Sequence, residues 1–488
     1  MLKATGIGIG AGLGTTALAT PAGAADAPLV HPGLLHTRAD LGRMAAKVKA
    51  GARPYAAGFA KLTANRHAQS GWRANPQAVV YRGSGSPENY RILYNDIHAA
   101  YQNALRHHVS GEEAYADTAV AILNAWSGKL TRLEGSADRF LAAGLYGYQF
   151  ANAAELVRDH GDFDLERARE LLLNVFHPLS DSFLSHHNNA VVTNYWPNWD
   201  LTALACVLAT GIFCDERAVV GRAVEYFKHG DGMGSVKHAI PVVHEDGLGE
   251  WVEAGRDQGH ALLGVGLMGT VCEMAWNQGI DLYGYDDSRF LKGAQYVARW
   301  SLGGDVPYTA NTRRKGAIGG WSGTETASDV AGVDPGMTRP VWAMIANHYT
   351  KRRGLPASYV TRAAAKAAPE GGGGDYGPNS GGFDQLGFGT LAFTRDRNQG
   401  RNRGQDRVEE SVGGPSPSPG PSGGSPGSRA AGGVRPQASA SPARGGDDLA
   451  ATGTGDAAGW AAAAGIGAVA GGLLLLRRRD RVRREGGE

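Results

Sequence analysis

The chain has 488 residues and carries 49 Lys and Arg against 47 Asp and Glu, a formal net charge of +2. This near balance excludes a polycation that coats nucleic acid, so no nucleic-acid partner is expected. Hydrophobic residues make up 42% of the chain, enough for a large core, and its 73 Gly and 22 Pro are concentrated toward the C-terminus. The composition therefore predicts one large globular body with processed or disordered ends.

The first residues are typical of a secretory signal. Lys3 is followed by an apolar stretch rich in Gly, Ala, Ile and Leu, and then by Ala22-Gly23-Ala24, a small-x-small pattern of the kind that signal peptidase reads. We expect residues 1–24 to be a signal peptide that is cleaved near Ala24, with the folded domain over residues 25–397.

Helical periodicity dominates residues 27–359. Apolar side chains recur at spacings of three and four residues, as in the stripe of Leu41, Met44 and Val48. The predicted helices cover residues 89–108, 115–126, 137–160, 164–176, 199–212, 216–229, 258–279, 287–302 and 339–353. Each must bury one stripe, so the series predicts an all-α fold in which inner and outer helices pair antiparallel into a closed (α/α) toroid or incomplete barrel. A solenoid of helical hairpins is the competing architecture, and the lack of a repeat of fixed length disfavours it.

Cysteine usage indicates no disulfide framework. Cys206, Cys214 and Cys272 are three in number and lie in apolar helical stretches, so they are predicted to be core residues. One disulfide from Cys272 to either of the others is the alternative. The Cys and His spacings resemble no zinc site, so neither a metal nor a cofactor is expected.

Two later segments lack helical periodicity. The basic run of residues 313–315 is predicted to be a solvated loop, with contact to a polyanion as the alternative. Residues 371–384 hold too many glycines for a helix, and residues 386–393 are predicted to be extended. Because Tyr376, Asn379 and Phe383 are interspersed among the glycines, an ordered loop on the substrate side is favoured over a flexible linker.

The C-terminal region has three parts. Residues 398–448, rich in Gly, Ser, Pro and Arg, are predicted to form a disordered stalk. Residues 449–488 begin with Leu449-Ala450-Ala451-Thr452-Gly453, continue with an apolar run over 460–476 and finish with an Arg-rich tail that starts at Arg477. This order resembles a sortase sorting signal, which implies cleavage between Thr452 and Gly453 and attachment to cell-wall peptidoglycan on the outer face of a Gram-positive-type envelope. A plain C-terminal membrane anchor is the alternative.

Two clusters of polar and aromatic residues lie at the start of predicted helices. The first contains His186-His187-Asn188-Asn189 and then Tyr195-Trp196-Pro197-Asn198-Trp199. The second is Glu250-Trp251-Val252-Glu253-Ala254-Gly255-Arg256-Asp257-Gln258-Gly259-His260. Aromatic faces stack on sugar rings, and amide and charged side chains bind hydroxyls and carboxylates. The clusters therefore indicate a cleft that binds a sugar, although tryptophans that pack the start of a helix would look the same.

The second cluster and its surroundings resemble the alginate lyase family of secreted polysaccharide lyases. The similar segments are Glu253-x-Gly-Arg256-Asp257-Gln258-x-His260, the following 272–283, Tyr195-Trp196-x-x-Trp199, Arg339-Pro340-x-Trp342, Asn347-His348-Tyr349 and Gly374-Asp375-Tyr376. The resemblance covers residues 28–395. It implies an (α/α) barrel that cleaves an anionic 1,4-linked polyuronate, alginate or glucuronan, by β-elimination.

The resemblance also implies site residues. Carried over, the neutralisers of the substrate carboxylate are Asn198 and Arg256, and His260 is the base that removes the C5 proton. The acid that protonates the leaving oxygen is Tyr308 or Tyr349, with Tyr195 as a third candidate. The residues expected to contact the substrate are Tyr195, Trp196, Trp199, Glu253, Gln258, Arg339, His348 and Tyr376.

Two other functions remain open from the sequence. Helical toroids also host inverting glycoside hydrolases, for which Glu250, Glu253 and Asp257 could supply the two carboxylates. A carbohydrate-binding protein displayed on the wall, without catalysis, is the second alternative. The sequence does not distinguish mannuronate, guluronate and glucuronate substrates.

Overall fold

The computed structural model describes residues 28–84, 87–319 and 323–396. The predicted signal peptide (1–24), stalk (398–448) and sorting signal (449–488, with its apolar run at 460–476) lie outside the described residues. No helix within the described ranges is long and apolar enough to cross a membrane.

The helices are α1 Arg38–Lys49, α2 Tyr55–Ala64, α3 Tyr90–Ser110, α4 Glu113–Ser127, α5 Asp138–Leu156, α6 Leu165–Leu171, α7 His177–His186, α8 Pro197–Phe213, α9 Arg217–His229, α10 Val236–Ala239, α11 Gln258–Asn277, α12 Tyr285–Ser301, α13 Trp342–Asn347, α14 Ser358–Ala367 and α15 Gly389–Ala392.

Two short sheets accompany the helices. Strands β1 (Val79–Arg82) and β2 (Arg132–Gly135) pair in parallel, and β3 (Asn311–Arg314) and β4 (Thr324–Ala327) form an antiparallel hairpin. Short π-helical turns, Leu172–Phe176 and His348–Arg352, extend α6 and α13.

Five helices form an inner ring. Every residue of α8 is buried, and α5 and α11 are buried along almost their whole length, as expected of helices that are surrounded on all sides. In the ring, α5 packs against α3 and α8, and α11 packs against α8 and α13. Outside it, α4 covers α3, α9 covers α8, α12 covers α11 and α14 covers α13, while α7 packs on α5 and α8.

The inner helices run parallel to one another. Gly144 of α5 lies against Thr202 of α8, and three residues later Gly147 lies against Cys206. Contacts between α11 and α13 advance along both helices in the same way. Each inner helix is followed in the chain by an outer helix that returns to the start of the next one. This antiparallel pairing around a parallel inner ring is the (α/α) toroid, so the predicted fold class is confirmed.

The helix predictions agree closely with the structure, and the extended prediction over 386–393 is wrong. Residues 389–392 form the helical turn α15, which packs on α2 and α13; burial of the segment overrides its weak preference for an extended backbone. Helices α2, α7, α10 and α14 were not predicted. All three cysteines are buried and free, so the core interpretation holds and no disulfide involves Cys272.

The glycine-rich segment 371–388 fills the centre of the ring. The backbone oxygen of Phe383 accepts hydrogen bonds from His98 Nε2 of α3 at 2.8 Å and from Gln149 Nε2 of α5 at 2.7 Å. A Cβ atom on Gly373 would lie 2.2 Å from His98 Nδ1, so only glycine allows the backbone to approach this closely. The segment is ordered as predicted, but much of it is core rather than a loop on a binding surface.

A buried carboxyl group makes the stability of this core depend on pH. Glu370 Oε1 accepts hydrogen bonds from the backbone nitrogens of Trp342 and Ala343, both at 2.9 Å. Burial raises the pKa of Glu370 from 4.5 to about 7. Between these values the folded chain keeps a proton that the unfolded chain has lost, so stability falls as pH rises, by about 3 kcal/mol in all.

We expect Glu370→Gln to remove this pH dependence. Glutamine keeps an acceptor oxygen for the two backbone donors but carries no charge, so the variant should gain stability relative to the wild type as pH rises from about 4.5 to 7. Urea midpoints at several pH values measure the difference. Parallel curves for the two proteins would contradict the prediction.

Candidate active site

The first turns of α8 and α11 meet at one end of the ring. Trp196 is extended and Pro197 begins α8, where its missing N–H is not needed. Asp257 caps α11, since its Oδ1 accepts a hydrogen bond from the backbone nitrogen of His260 at 2.8 Å. Because the inner helices are parallel, the two polar clusters of the sequence come together here.

Arg256 is at the centre of this site. Its Nη1 donates to Glu253 Oε1 at 2.9 Å and lies 3.4 Å from Asn198 Oδ1. Its Nη2 lies 3.2 Å from His260 Nε2. The guanidinium thus joins residues of α8, of α11 and of the 3-10 turn Val252–Gly255. We call Asn198, Glu253, Arg256, Asp257 and His260 the Arg256 cluster.

The orientation of His260 follows from its two partners. Its Nδ1 is 2.7 Å from Asp257 Oδ2, so the imidazole donates to this carboxylate. Its Nε2 then carries the lone pair and accepts from Arg256, because a guanidinium can only donate. An adjacent carboxylate that fixes the tautomer in this way prepares a histidine to accept a proton on the other nitrogen.

The pKa values of the two carboxyl groups of the cluster are shifted in opposite directions. Burial raises the pKa of Glu253, and the attraction of Arg256 only partly offsets it. Burial also acts to raise the pKa of Asp257, but hydrogen bonds from His260 and the charge of Arg256 together hold it below its usual value. Asp257 therefore remains the anionic partner that His260 needs, while Glu253 is the member that protonates more readily.

Asn198 turns its amide nitrogen away from the guanidinium. Its oxygen must face Arg256, since the arginine has no acceptor. Its Nδ2 forms no hydrogen bond with any described residue. The side chain can therefore donate to an anion that arrives beside Arg256.

The hairpin β3–β4 adds a second arginine. The guanidinium of Arg313 lies 4.3 Å from the centre of the Trp196 ring, and Arg256 lies 5.9 Å from it. Arg313 donates to Glu325 at 2.5 Å and to the backbone oxygens of Thr193 and Asn194. The predicted solvated loop at 313–315 is thus wrong at Arg313, which is 4% exposed. Burial lowers the pKa of this guanidinium, and Glu325 opposes the effect.

Tyr308 places its hydroxyl against Gly255, the residue before Arg256. A Cβ atom on Gly255 would lie 2.1 Å from this hydroxyl oxygen, so the glycine is required for the approach. The oxygen is buried and lacks a hydrogen-bond partner among the described residues. Burial, with a smaller contribution from the charge of Glu250, raises the pKa of Tyr308 to about 12. The hydroxyl therefore stays protonated at neutral pH and can act as a donor.

Three other predicted residues support this end of the ring. Gln258 holds the backbone of Asp334. Its side chain donates to the Asp334 oxygen at 3.1 Å and accepts from the Asp334 nitrogen at 2.8 Å. Tyr195 and Trp199 pack on each other with ring centres 4.6 Å apart and are buried. These contacts position the start of α8 and the loop at residue 334.

Four further predicted residues form their hydrogen bonds and ring contacts elsewhere in the structure. Tyr349 donates to the backbone oxygen of Tyr283 at 3.0 Å, and His348 stacks on the Tyr283 ring at 3.6 Å. Both lie near Glu273, about 20 Å along α11 from His260 at 1.5 Å per residue. Arg339 is paired with Asp384 at 2.7 Å in the core. Tyr376 accepts from the backbone nitrogen of Gly371.

Within the part of the chain that the structure describes, one group of side chains could hold a metal ion, and it lies at the other end of the ring. Ligand atoms of Glu113, Asp117 and His160 lie within 4.8 Å of one another. His160 Nδ1 accepts from the backbone nitrogen of Asp162 at 3.2 Å, which leaves the proton on Nε2, 3.3 Å from Glu113. The imidazole is thus paired with the carboxylates of Glu113 and Asp117, at 3.3 and 3.5 Å.

Residues 61–306 match the family described as Alginate lyase. The chain belongs to the alginate lyase family. It is therefore a member of a family of polysaccharide lyases, as the sequence resemblance implied. No curated protein matches this alginate lyase family member.

Solved structures of alginate lyases are similar to it. An alginate lyase from Bacteroides ovatus is 14% identical, with a TM-score of 0.41 over 56% of this chain and 84% of that one. A variant of alginate lyase A1-III complexed with tetrasaccharide is 12% identical, with a TM-score of 0.48 over 78% and 100%. Alginate lyase A1-III from Sphingomonas species A1 is 15% identical, with a TM-score of 0.39 over 56% and 79%.

Proposed function

We propose that this alginate lyase family member cleaves a 1,4-linked polyuronate by β-elimination at the Arg256 cluster. The observation that carries the proposal is the convergence of Arg256, Asn198 and His260 on one point. A guanidinium and an amide donor there can bind the carboxylate of a uronate. The C5 carbon is bonded to that carboxylate, so a base for the C5 proton must lie beside the same arginine, where His260 Nε2 is 3.2 Å away.

The proposed reaction moves two protons, one away from C5 and one onto the leaving oxygen. Arg256 and Asn198 bind the carboxylate of the uronate and balance its charge, which makes the C5–H bond acidic. The C5 proton then passes to His260 Nε2. The C–H electron pair forms the C4–C5 double bond as the bond from C4 to the linking oxygen breaks. Tyr308 gives its proton to that oxygen, and the phenolate is reprotonated by way of solvent from the imidazolium.

The alternative of a glycoside hydrolase has weaker support. An inverting hydrolase needs two carboxyl groups that face each other across the substrate. Glu253 and Asp257 instead contact the same guanidinium, at 2.9 and 3.5 Å, and Glu250 accepts from the backbone nitrogen of Thr309 at 2.7 Å. These carboxylates orient basic groups, which favours elimination.

A substrate panel tests the proposed function. Tetrasaccharide complexes of alginate lyase A1-III make alginate the first polymer to try, followed by its mannuronate-rich and guluronate-rich fractions and by glucuronan. We expect ultraviolet absorbance from a conjugated uronate on at least one of them, and loss of that signal in His260→Ala. A folded wild-type chain that is inactive on all four would overturn the proposal.

We further propose that the enzyme is displayed on the cell wall. The support is the order of Leu449 to Gly453, the apolar run and the Arg-rich tail, all outside the described residues. A Thr452→Ala variant expressed in the native cell should no longer be released from the wall by muramidase and should appear in the membrane or medium. Wall attachment equal to that of the wild type would contradict the proposal.

A further inference from the structure

A groove of about 960 Å³ lies near the Arg256 cluster, since it is lined by Val252, which precedes Glu253, and by Arg313, which stacks on Trp196. His186 and His187, at the end of α7, line one wall, and His229 and His238 line another. Arg222 and Arg313 also contribute to the lining. Among the described lining residues Asp231 is the single carboxylate, so the surface suits an anion. We call this feature the His187 groove.

His187 is held by a buried carboxylate. Its Nε2 is 3.0 Å from Asp200 Oδ1, and the Tyr226 hydroxyl donates to the same oxygen at 2.6 Å. Asp200 is fully buried and also accepts from the backbone nitrogen of Gly234 at 3.2 Å. Burial, and then the charge of Asp200, raise the pKa of Tyr226, so the hydroxyl remains a donor and Asp200 remains the acceptor for His187.

The other nitrogen of His187 is left to bind a ligand. With Nε2 committed to Asp200, Nδ1 makes no hydrogen bond to any residue in the described ranges, and His187 lines the groove. A neutral imidazole in this tautomer can accept from a sugar hydroxyl through Nδ1. A protonated one can donate to a carboxylate.

The backbone here is strained, which indicates that the position of His187 is maintained for a purpose. His187, Asn188 and Asn189 have consecutive φ values of 46°, 52° and 57°, in the left-handed region that costs non-glycine residues roughly 1–3 kcal/mol each. Backbone hydrogen bonds from Ile318 to Asn189 and from Val191 to Gly316, both 2.9 Å, hold the segment. Such strain is concentrated at ligand-binding segments.

Arg313 connects the groove to the catalytic residues. It lines the groove and stacks on Trp196, whose ring is also near Arg256. A polymer whose reacting uronate lies at Arg256 and whose chain continues past Trp196 would enter the groove. Each sugar of such a polymer carries a carboxylate and hydroxyls, which the basic lining can bind.

We propose that the His187 groove is a distal subsite that binds a further uronate residue of the polymer, with His187 Nδ1 in contact with the sugar. This inference rests on the proposed lyase function. Because His187 is not part of the Arg256 cluster, it adds affinity for long chains and takes no part in bond cleavage.

Chain-length dependence tests the subsite. For His187→Gln we expect kcat/KM on the polymer to fall about tenfold, the size of one hydrogen bond to a charged group. On the shortest oligouronate that the wild type cleaves, kcat/KM should stay within a factor of two. His107→Gln is the matched control, and it should leave both values unchanged. His107 lies in the last turn of α3, at the end of the ring opposite to the Arg256 cluster.

A second variant covers the case in which His187→Gln does not fold. Arg222 is partly exposed at the rim, where it pairs with Asp181, and Arg222→Gln leaves the Asp200 pair intact. It should lower kcat/KM on the polymer selectively and keep the wild-type melting temperature. Equal losses on short and long substrates, or no loss on either, would overturn the subsite. An inactive wild type would instead overturn the lyase function itself.

Discussion

Replacing Arg256 with lysine should lower kcat about 10²–10³-fold, because the substrate carboxylate loses a planar donor at the point where charge develops. Arg256 also organises its neighbours, since Asn198, Glu253 and His260 all contact its guanidinium. An ammonium group cannot reproduce these contacts at once. The rate of appearance of unsaturated product on the polymer measures the effect.

The matched control for this variant is Arg38→Lys. Arg38 is exposed and pairs with Asp159 on the surface at 2.6 Å, so the same exchange there should leave the rate unchanged. Circular dichroism should show that both variants are folded. A folded Arg256→Lys enzyme with a rate within a factor of three of the wild type would remove Arg256 from the proposed mechanism.

Replacing Tyr308 with phenylalanine should lower kcat by about 10²-fold or more, the usual contribution of a positioned acid. The change removes one oxygen that is buried against Gly255 without a described partner, so the folded state loses little. KM should change less than kcat, because the hydroxyl acts on the leaving oxygen rather than on the bound carboxylate. A substrate with a more acidic leaving group should restore part of the rate.

Tyr349→Phe provides the comparison. Both tyrosines were predicted from the sequence as candidates for the acid, but the Tyr349 hydroxyl donates to the backbone of Tyr283, which follows the C-terminal end of α11, at 3.0 Å. Its loss should destabilise the fold by about 1 kcal/mol and leave kcat unchanged. The opposite pattern, with Tyr349→Phe inactive and Tyr308→Phe active, would reverse the assignment.

The ring of helices could be predicted from the sequence because its signals are local. Spans such as α3, α9 and α12 carry apolar stripes at helical spacing, and their predicted ends lie within a few residues of the observed ones. The turn α15 was missed because glycines surround it and its burial against α2 and α13 depends on the rest of the fold. Packing of this kind is absent from local sequence patterns.

The site was predictable from local sequence where its residues lie near one another in the chain, and Asn198 was assigned through the family resemblance. Glu253, Arg256 and His260 fall within one segment, and their contacts follow from the start of α11. Arg313 was assigned to solvent because a basic run beside glycines looks like a loop. Its burial depends on Trp196, more than one hundred residues earlier, and on Glu325 across the hairpin; neither contact has a local signature.

The hydrogen bonds of His187 were equally hidden in the sequence. The sequence places it in a polar cluster, but its partner Asp200 is thirteen residues away on the buried first turns of α8, and Tyr226 belongs to the outer helix α9. The signal for this contact in the sequence was Asp200, an acidic residue within an otherwise apolar helix. Buried carboxylates of this kind usually hold a specific basic or hydroxyl group.

The mass of the products released from the polymer by the wild-type chain tests the central claim most directly. Elimination adds nothing to the substrate, so each cut should yield one unsaturated fragment, and the fragment masses should sum to that of the starting chain. Ultraviolet absorbance should rise in step with the number of cuts. Fragments that have gained one water for each cut, with no rise in absorbance, would identify a hydrolase and contradict the proposed role of the Arg256 cluster.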